Sequence, residues 1–178
     1  RGTYLNGPKT RMVVPGVPTN SQQPTSQINL QSVLTRVQCP FLMIPCDAVI
    51  RPPERIAYLA DRRYAQIPVL NFLKRMNAGN ENVILAHICA QGLPELDKQY
   101  AVDLFNAGVG RNVQNSRLFF SQLRVKDFAV CLDQVLNGMD ADVLVCVNHH
   151  YHFQKLIPGN IGSSPSAEIC IPVLVCPQ

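Results

Sequence analysis

The chain has 178 residues, 47% of them hydrophobic, enough to bury a real core in one ordinary domain and still leave an arm outside it. Its net charge of +4 comes from scattered Lys and Arg without any basic run, which permits nucleic-acid contact without arguing for it. No stretch approaches the roughly 20 apolar residues that cross a bilayer, and there is no signal-peptide pattern, so no membrane role is expected.

In chain order, residues 1–28 mix Gly2, Gly7, Pro8, Pro15, Gly16, Pro18 and Pro24 with Thr, Asn, Gln and Ser. Such a segment buries too little apolar area to offset its ordering entropy, and 1–37 is expected to be an extended arm or linker. Arg11–Val14 is its one strand-like piece, and Leu30, Val33 and Leu34 outline a short helix over Ile28–Val37 with Ser26 as a candidate cap. Starting at Arg1 rather than Met, the chain reads as a piece of a longer protein. Residues 38–178 are expected to form the domain proper. Phe41–Ile44 is an apolar run ending at Pro45 and predicts a strand. Pro52 and Pro53 suit the first turn of a helix continuing through Glu54–Tyr64, with Ile56, Leu59, Ala60 and Arg63 on one stripe. A second helix opens at Pro68, with Val69, Leu70, Leu73 and Met76 inward, and stops at Asn77-Ala-Gly79.

From Asn82 the pattern becomes regular. Val83–Cys89 predicts a buried strand, Pro94–Ala107 a helix with Tyr100, Leu104 and Phe105 inward, and Arg117–Leu123 another strand. Phe128, Cys131, Leu132 and Val135 then mark one face of a helix from about Asp127 to Gly138. Val143–Val147 is an unbroken, β-branched apolar run, as a strand covered on both faces would be. A polar loop over His149–Ala167 leads to a last strand, Ile169–Val175. This alternation predicts an α/β fold, two- or three-layered, with a mostly parallel sheet.

The chain carries no self-evident chemistry. Cys146, His150 and His152 would share a side of an extended chain and resemble a zinc set, yet no matching Cys or His pair stands at a recognisable spacing elsewhere, so no metal site and no cofactor is assigned. Asn148, His149, His150 and His152 fall beyond the carboxyl end of a strand, where open α/β sheets bind ligands, and are kept as candidate binding residues. No Gly-x-Ser-x-Gly elbow is present, and His87 with Cys89 reads as two core residues of an inner strand. Gly108-Val-Gly110 ends a helix instead of opening one, so it is not a phosphate fingerprint. Asp127 reads as a helix-start residue, and no carboxylate pair is evident. Arg51, Arg55, Arg62, Arg63, Lys74 and Arg75 form the densest basic set and would share a solvent face of the two proposed helices, open to an RNA backbone or an acidic partner. Seven cysteines, with Cys89, Cys131 and Cys146 inside apolar elements, indicate free thiols and a reducing compartment, cytoplasm or nucleus.

From Asn82 to Val175, the order VILAHICAQ, DKQYAVDLF, RLFFSQL, VKDFAVCLDQVLNGMDADVLVCVN, a loop with His149, His150 and His152, and AEICIPVLV resembles the anticodon-binding domain of class II aminoacyl-tRNA synthetases. It is most similar to the degenerate copy in a nuclear-receptor coactivator family, although no Leu-x-x-Leu-Leu box is present and Leu30-Gln-Ser-Val33-Leu34 is a near miss. The resemblance implies a non-catalytic adaptor module of a nuclear regulatory or RNA-processing protein, with a protein partner or a second copy of itself. RNA binding through the basic face is the alternative, and a metal-dependent enzyme a further one. No small-molecule substrate is expected.

Overall fold

The computed structural model describes residues 16–17, 39–45, 48–49, 51–60, 66–76, 82–88, 97–107, 118–123, 127–148, 153, 156 and 169–177. The chain is α/β and its strand pairings are mostly parallel. Two compact units emerge, one of Pro52–Asp142 and one of Arg1–Arg51 together with Val143–Gln178.

The unit Pro52–Asp142 runs β3 (Arg55–Ala60), α1 (Ile67–Met76), β4 (Asn82–Ile88), α2 (Lys98–Phe105), β5 (Leu118–Leu123), α3 (Phe128–Asp133) and a π-helical turn (Gln134–Gly138). Strand β4 lies parallel between β3 and β5, with Ala57 opposite Ile84 and Ile84 opposite Phe119. A strand therefore stands where the sequence predicted the helix Glu54–Tyr64. The reason is packing: Ile56, Ala57, Tyr58 and Leu59 are all at most 4% exposed, so both faces of the segment are covered. A helix buries one stripe and an inner parallel strand buries every residue. The Ile56, Leu59, Ala60 stripe was satisfied by this unbroken apolar run as readily as by a true helical period.

Both later helices of this unit are set by aspartate caps. Asp97 Oδ1 accepts from the backbone N–H of Gln99 at 2.9 Å and of Tyr100 at 3.2 Å, and Asp127 Oδ1 accepts from Ala129 at 2.8 Å. In α1, Val69, Leu70 and Leu73 are buried as their spacing predicted, and Lys74 and Arg75 lie in the last turn, where cations suit the helix dipole. Phe105 of α2 stacks on Phe120 of β5 at 5.1 Å, but Tyr100, expected inward, is 52% exposed. The cap at Asp97 starts the helix three residues after Pro94 and leaves Tyr100 on its outer side.

In the other unit, β1 (Gly16–Val17) pairs parallel with β2 (Phe41–Pro45), β2 antiparallel with β7 (Val173–Cys176), and β7 parallel with β6 (Val143–Val147). Leu144, Val145, Cys146 and Val147 are at most 1% exposed, the two-sided burial their composition predicted. β7 begins later than the predicted Ile169–Val175, because Pro172 has no N–H for the ladder; its carbonyl still accepts from Leu144 at 3.0 Å. Phe153 and Leu156 are also buried. The predicted strand Arg11–Val14, the helix Ile28–Val37 and the residues of the 149–167 loop other than these two lie outside the described residues.

Candidate functional site

Among the described residues the predicted basic face is not a pair of helices, because Arg55 stands on a strand and Lys74 and Arg75 on a helix. Arg55 opens β3, where its guanidinium pairs with Asp140 and its backbone N–H donates to Asp142 Oδ2 at 3.0 Å. Glu54 N–H donates to the same oxygen at 2.8 Å. Lys74 and Arg75 end α1, and the Arg75 Nε–H donates to the Asn71 carbonyl at 3.3 Å. Arg51 is exposed and belongs to the other unit, while Arg62 and Arg63 lie outside the described residues. In sequence those two arginines follow the carboxyl end of β3, whereas Arg55 stands at its amino end.

Of the second predicted cluster, Asn148 is described. It is 7% exposed just past β6, and its backbone N–H donates to the Cys176 carbonyl at 2.8 Å. His149, His150 and His152 lie outside the described residues. Cys146, the third member of the zinc set weighed above, is fully buried, and desolvation together with the neighbouring Cys176 holds its thiol protonated far above the ordinary range. Cys176 is pushed up to about 12 by burial. Metal ligation and nucleophilic attack both require a thiolate, so these thiols are core residues. The register sets Cys146 opposite Val175 and Val147 opposite Cys176, which puts the two sulfurs on opposite faces of the pair.

Open parallel sheets hold ligands beyond the carboxyl ends of their strands, which here are the ends of β3, β4 and β5. Strand alternation puts Tyr58, His87, Phe120 and Gln122 on one face, with His87 directly opposite Gln122. His87 is 6% exposed and stacks with Phe120 at 6.4 Å. Tyr58 reaches the start of α1, where its hydroxyl accepts from the Gln66 backbone N–H at 3.3 Å. One polar side chain thus stands next to last in each of β4 and β5, His87 and Gln122. The sequence reading passed over this edge for a definite reason. With residues 54–64 assigned to a helix, β4 had no parallel neighbour before it, and His87 looked like an isolated core histidine.

No protein-family model matches the chain, and no curated protein matches it. Solved structures do. A universal stress protein from Archaeoglobus fulgidus is 12% identical, covering 94% of this chain and 60% of that one, with a TM-score of 0.56. A second, from Pseudomonas aeruginosa, is 16% identical over 93% of this chain and 63% of that one, with a TM-score of 0.50. A universal stress protein in complex with cAMP matches more loosely, at 12% identity over 70% of this chain and 97% of that one, TM-score 0.46.

The fold is similar to that of universal stress proteins. This chain spans about 60% of the length of the Archaeoglobus protein. The finding overturns the resemblance to the anticodon-binding domain, which rested on the order of elements after Asn82. That order is common to α/β sheets, and the strand Arg55–Ala60 ahead of it changes the topology to three consecutive parallel strands. The nuclear adaptor, transcriptional and RNA-processing roles, and the nuclear location, were implied by that resemblance and are withdrawn with it. RNA binding loses its support as well, since Arg55 stands on a strand and not on a helix shared with the other described cations. No described helix is long and apolar enough to cross a membrane.

Proposed function

We propose that this chain is a binding domain for a small molecule of the nucleotide class, held at the carboxyl edge of β3, β4 and β5, and that it binds without turning its ligand over. One observation carries the reading: β3–α1–β4–α2–β5 is a βαβαβ unit with its strands parallel and in consecutive order. Such a unit is the mononucleotide-binding half of doubly wound folds, whose ligands sit outside the carboxyl ends of the strands. The connection that follows β3 in sequence carries Arg62 and Arg63, cations of the type that pair with phosphate. The same connection lacks a Gly-x-Gly-x-x-Gly turn, so the phosphates are met by side-chain charge more than by a cradle of backbone amides.

Binding without turnover is supported by the engagement of these acidic and thiol groups among the described residues. Asp97 and Asp127 cap helices, Asp140 pairs with Arg55, Asp142 tethers the start of β3, and Cys146 and Cys176 are held as protonated thiols.

Calorimetric titration of the full chain with ATP, AMP and cAMP tests the reading; cAMP belongs in the set because one similar protein is solved with it. Saturable binding of at least one nucleotide is expected, with the nucleotide recovered intact by chromatography. Loss of two charge-assisted contacts in an Arg62→Ala/Arg63→Ala variant should weaken it at least about tenfold. Absence of binding by all three, or affinity unchanged in that variant, contradicts the proposal.

A further inference from the structure

On the opposite face of the sheet from His87, running from the amino ends of β3 and β4 to Ser121 in β5, lies a depression of about 310 Å³ lined by Arg55, Asn82, Ile84, Phe119, Ser121 and Met139. We infer that it is a second small-molecule site, shaped for a flat, uncharged, bicyclic heteroaromatic ring.

Its floor and one wall are apolar. Ile84 of β4 stands directly opposite Phe119 of β5, which is 52% exposed, and Met139, just past the π-helical turn, belongs to the same lining. A large ring left half open beside two aliphatic side chains is a stacking platform, and stacking on aromatics tolerates any planar π-system. The ends of the depression are polar. Asn82 and Ser121 are separated by about 13 Å along the strands, four steps of roughly 3.3 Å each. Among the described residues neither the Asn82 amide nor the Ser121 hydroxyl hydrogen-bonds to another side chain, and each group both donates and accepts. A two-ring heterocycle with a polar atom at each end spans that gap once the reach of both side chains is allowed for, while a single ring is too short. The volume stands at the small end of ligand sites, roughly 300–1,000 Å³.

Charge selects against phosphate. Arg55, the one cation in this lining, is already paired with Asp140, and Asp142 lies beside it at the start of β3. Two backbone irregularities meet at this wall. The π-turn is closed by Met139 N–H donating five residues back to the Gln134 carbonyl at 2.9 Å. Asp140 follows with φ 53°, the left-handed region that a non-glycine residue adopts at a steric penalty. π-turns and strained non-glycine residues concentrate at functional sites. Here the π-turn brings Met139 into the lining, and the turn at Asp140 sets its carboxylate against the Arg55 guanidinium.

Protein-observed NMR on the full chain, with adenine and hypoxanthine as the probes, tests the inference. Saturable shifts are expected at Asn82, Ile84, Phe119 and Ser121, and both Phe119→Ala and Asn82→Ala should weaken binding about tenfold. Because Phe119 is half exposed, its variant should keep the wild-type Tm, which separates lost binding from lost folding. Shifts at these residues without saturable shifts at His87 or Gln122 distinguish this site from the carboxyl-edge site. No shift at these residues with either base at millimolar concentration, or affinities that Phe119→Ala and Asn82→Ala leave unchanged, overturns it.

Discussion

Asp142 and Asp140 sit two residues apart at the start of β3 and make opposite demands on the chain. The Asp142 carboxylate accepts from two consecutive backbone N–H groups, so Asp142→Ala leaves both without their acceptor and should cost about 1–3 kcal/mol in urea unfolding. Asp140 is 73% exposed and its pairing with Arg55 is screened by solvent, so Asp140→Asn should change stability by under about 1 kcal/mol. Its backbone matters more than its charge. At φ 53°, Asp140→Ala should be about 1 kcal/mol less stable than Asp140→Gly in the same assay. The buried thiols set a pH dependence whose sign is fixed by burial. Folded Cys176 titrates at about 12, with Cys146 above it, whereas an unfolded cysteine loses its proton near about 8.5. The unfolded state therefore binds fewer protons above that pH, and stability should be flat below about pH 8 and fall as pH rises past about 8.5. Urea midpoints across this range, compared with a Cys146→Ala/Cys176→Ala variant in which the decline is flattened, check it. Alkylation of the native chain should label the exposed Cys170 and spare Cys131, Cys146 and Cys176.

Individual elements show how much of the structure the sequence announces. β6 was legible because Val143–Val147 is too short for a helix, and β4 because its apolar run has clear turn residues on either side. The α3 start was legible from Asp127, whose cap needs only a local side chain. β3 was hidden by physics: in a segment buried on all sides the helical and strand periods vanish together, and two leading prolines suit either element. The π-turn was hidden too, since Val135 keeps its burial in either winding and only the hydrogen-bond pattern distinguishes them. The βαβαβ unit inherited the first error, because it exists only once β3 is a strand. Gly138 gives a test at this scale. A Cβ there meets nothing within 4 Å, so Gly138→Ala should stabilise the chain by about 0.5–1 kcal/mol through the unfolded state. By contrast, Leu73→Ala in α1 should destabilise by about 2–5 kcal/mol, because Leu73 is 1% exposed.

For the molecule as a whole, the α/β class was readable from the alternation of elements, and the type of α/β fold was not. Likeness to universal stress proteins at 12–16% identity fixes the fold, and the functional reading rests on the chain's own βαβαβ unit. The most direct test is a residue-resolved NMR titration of the full chain with ATP. Saturable shifts gathered at His87, Gln122 and the ends of β3 to β5 are the predicted result. Shifts confined to the amino ends of those strands, or no shifts at all, would contradict a nucleotide site at the carboxyl edge.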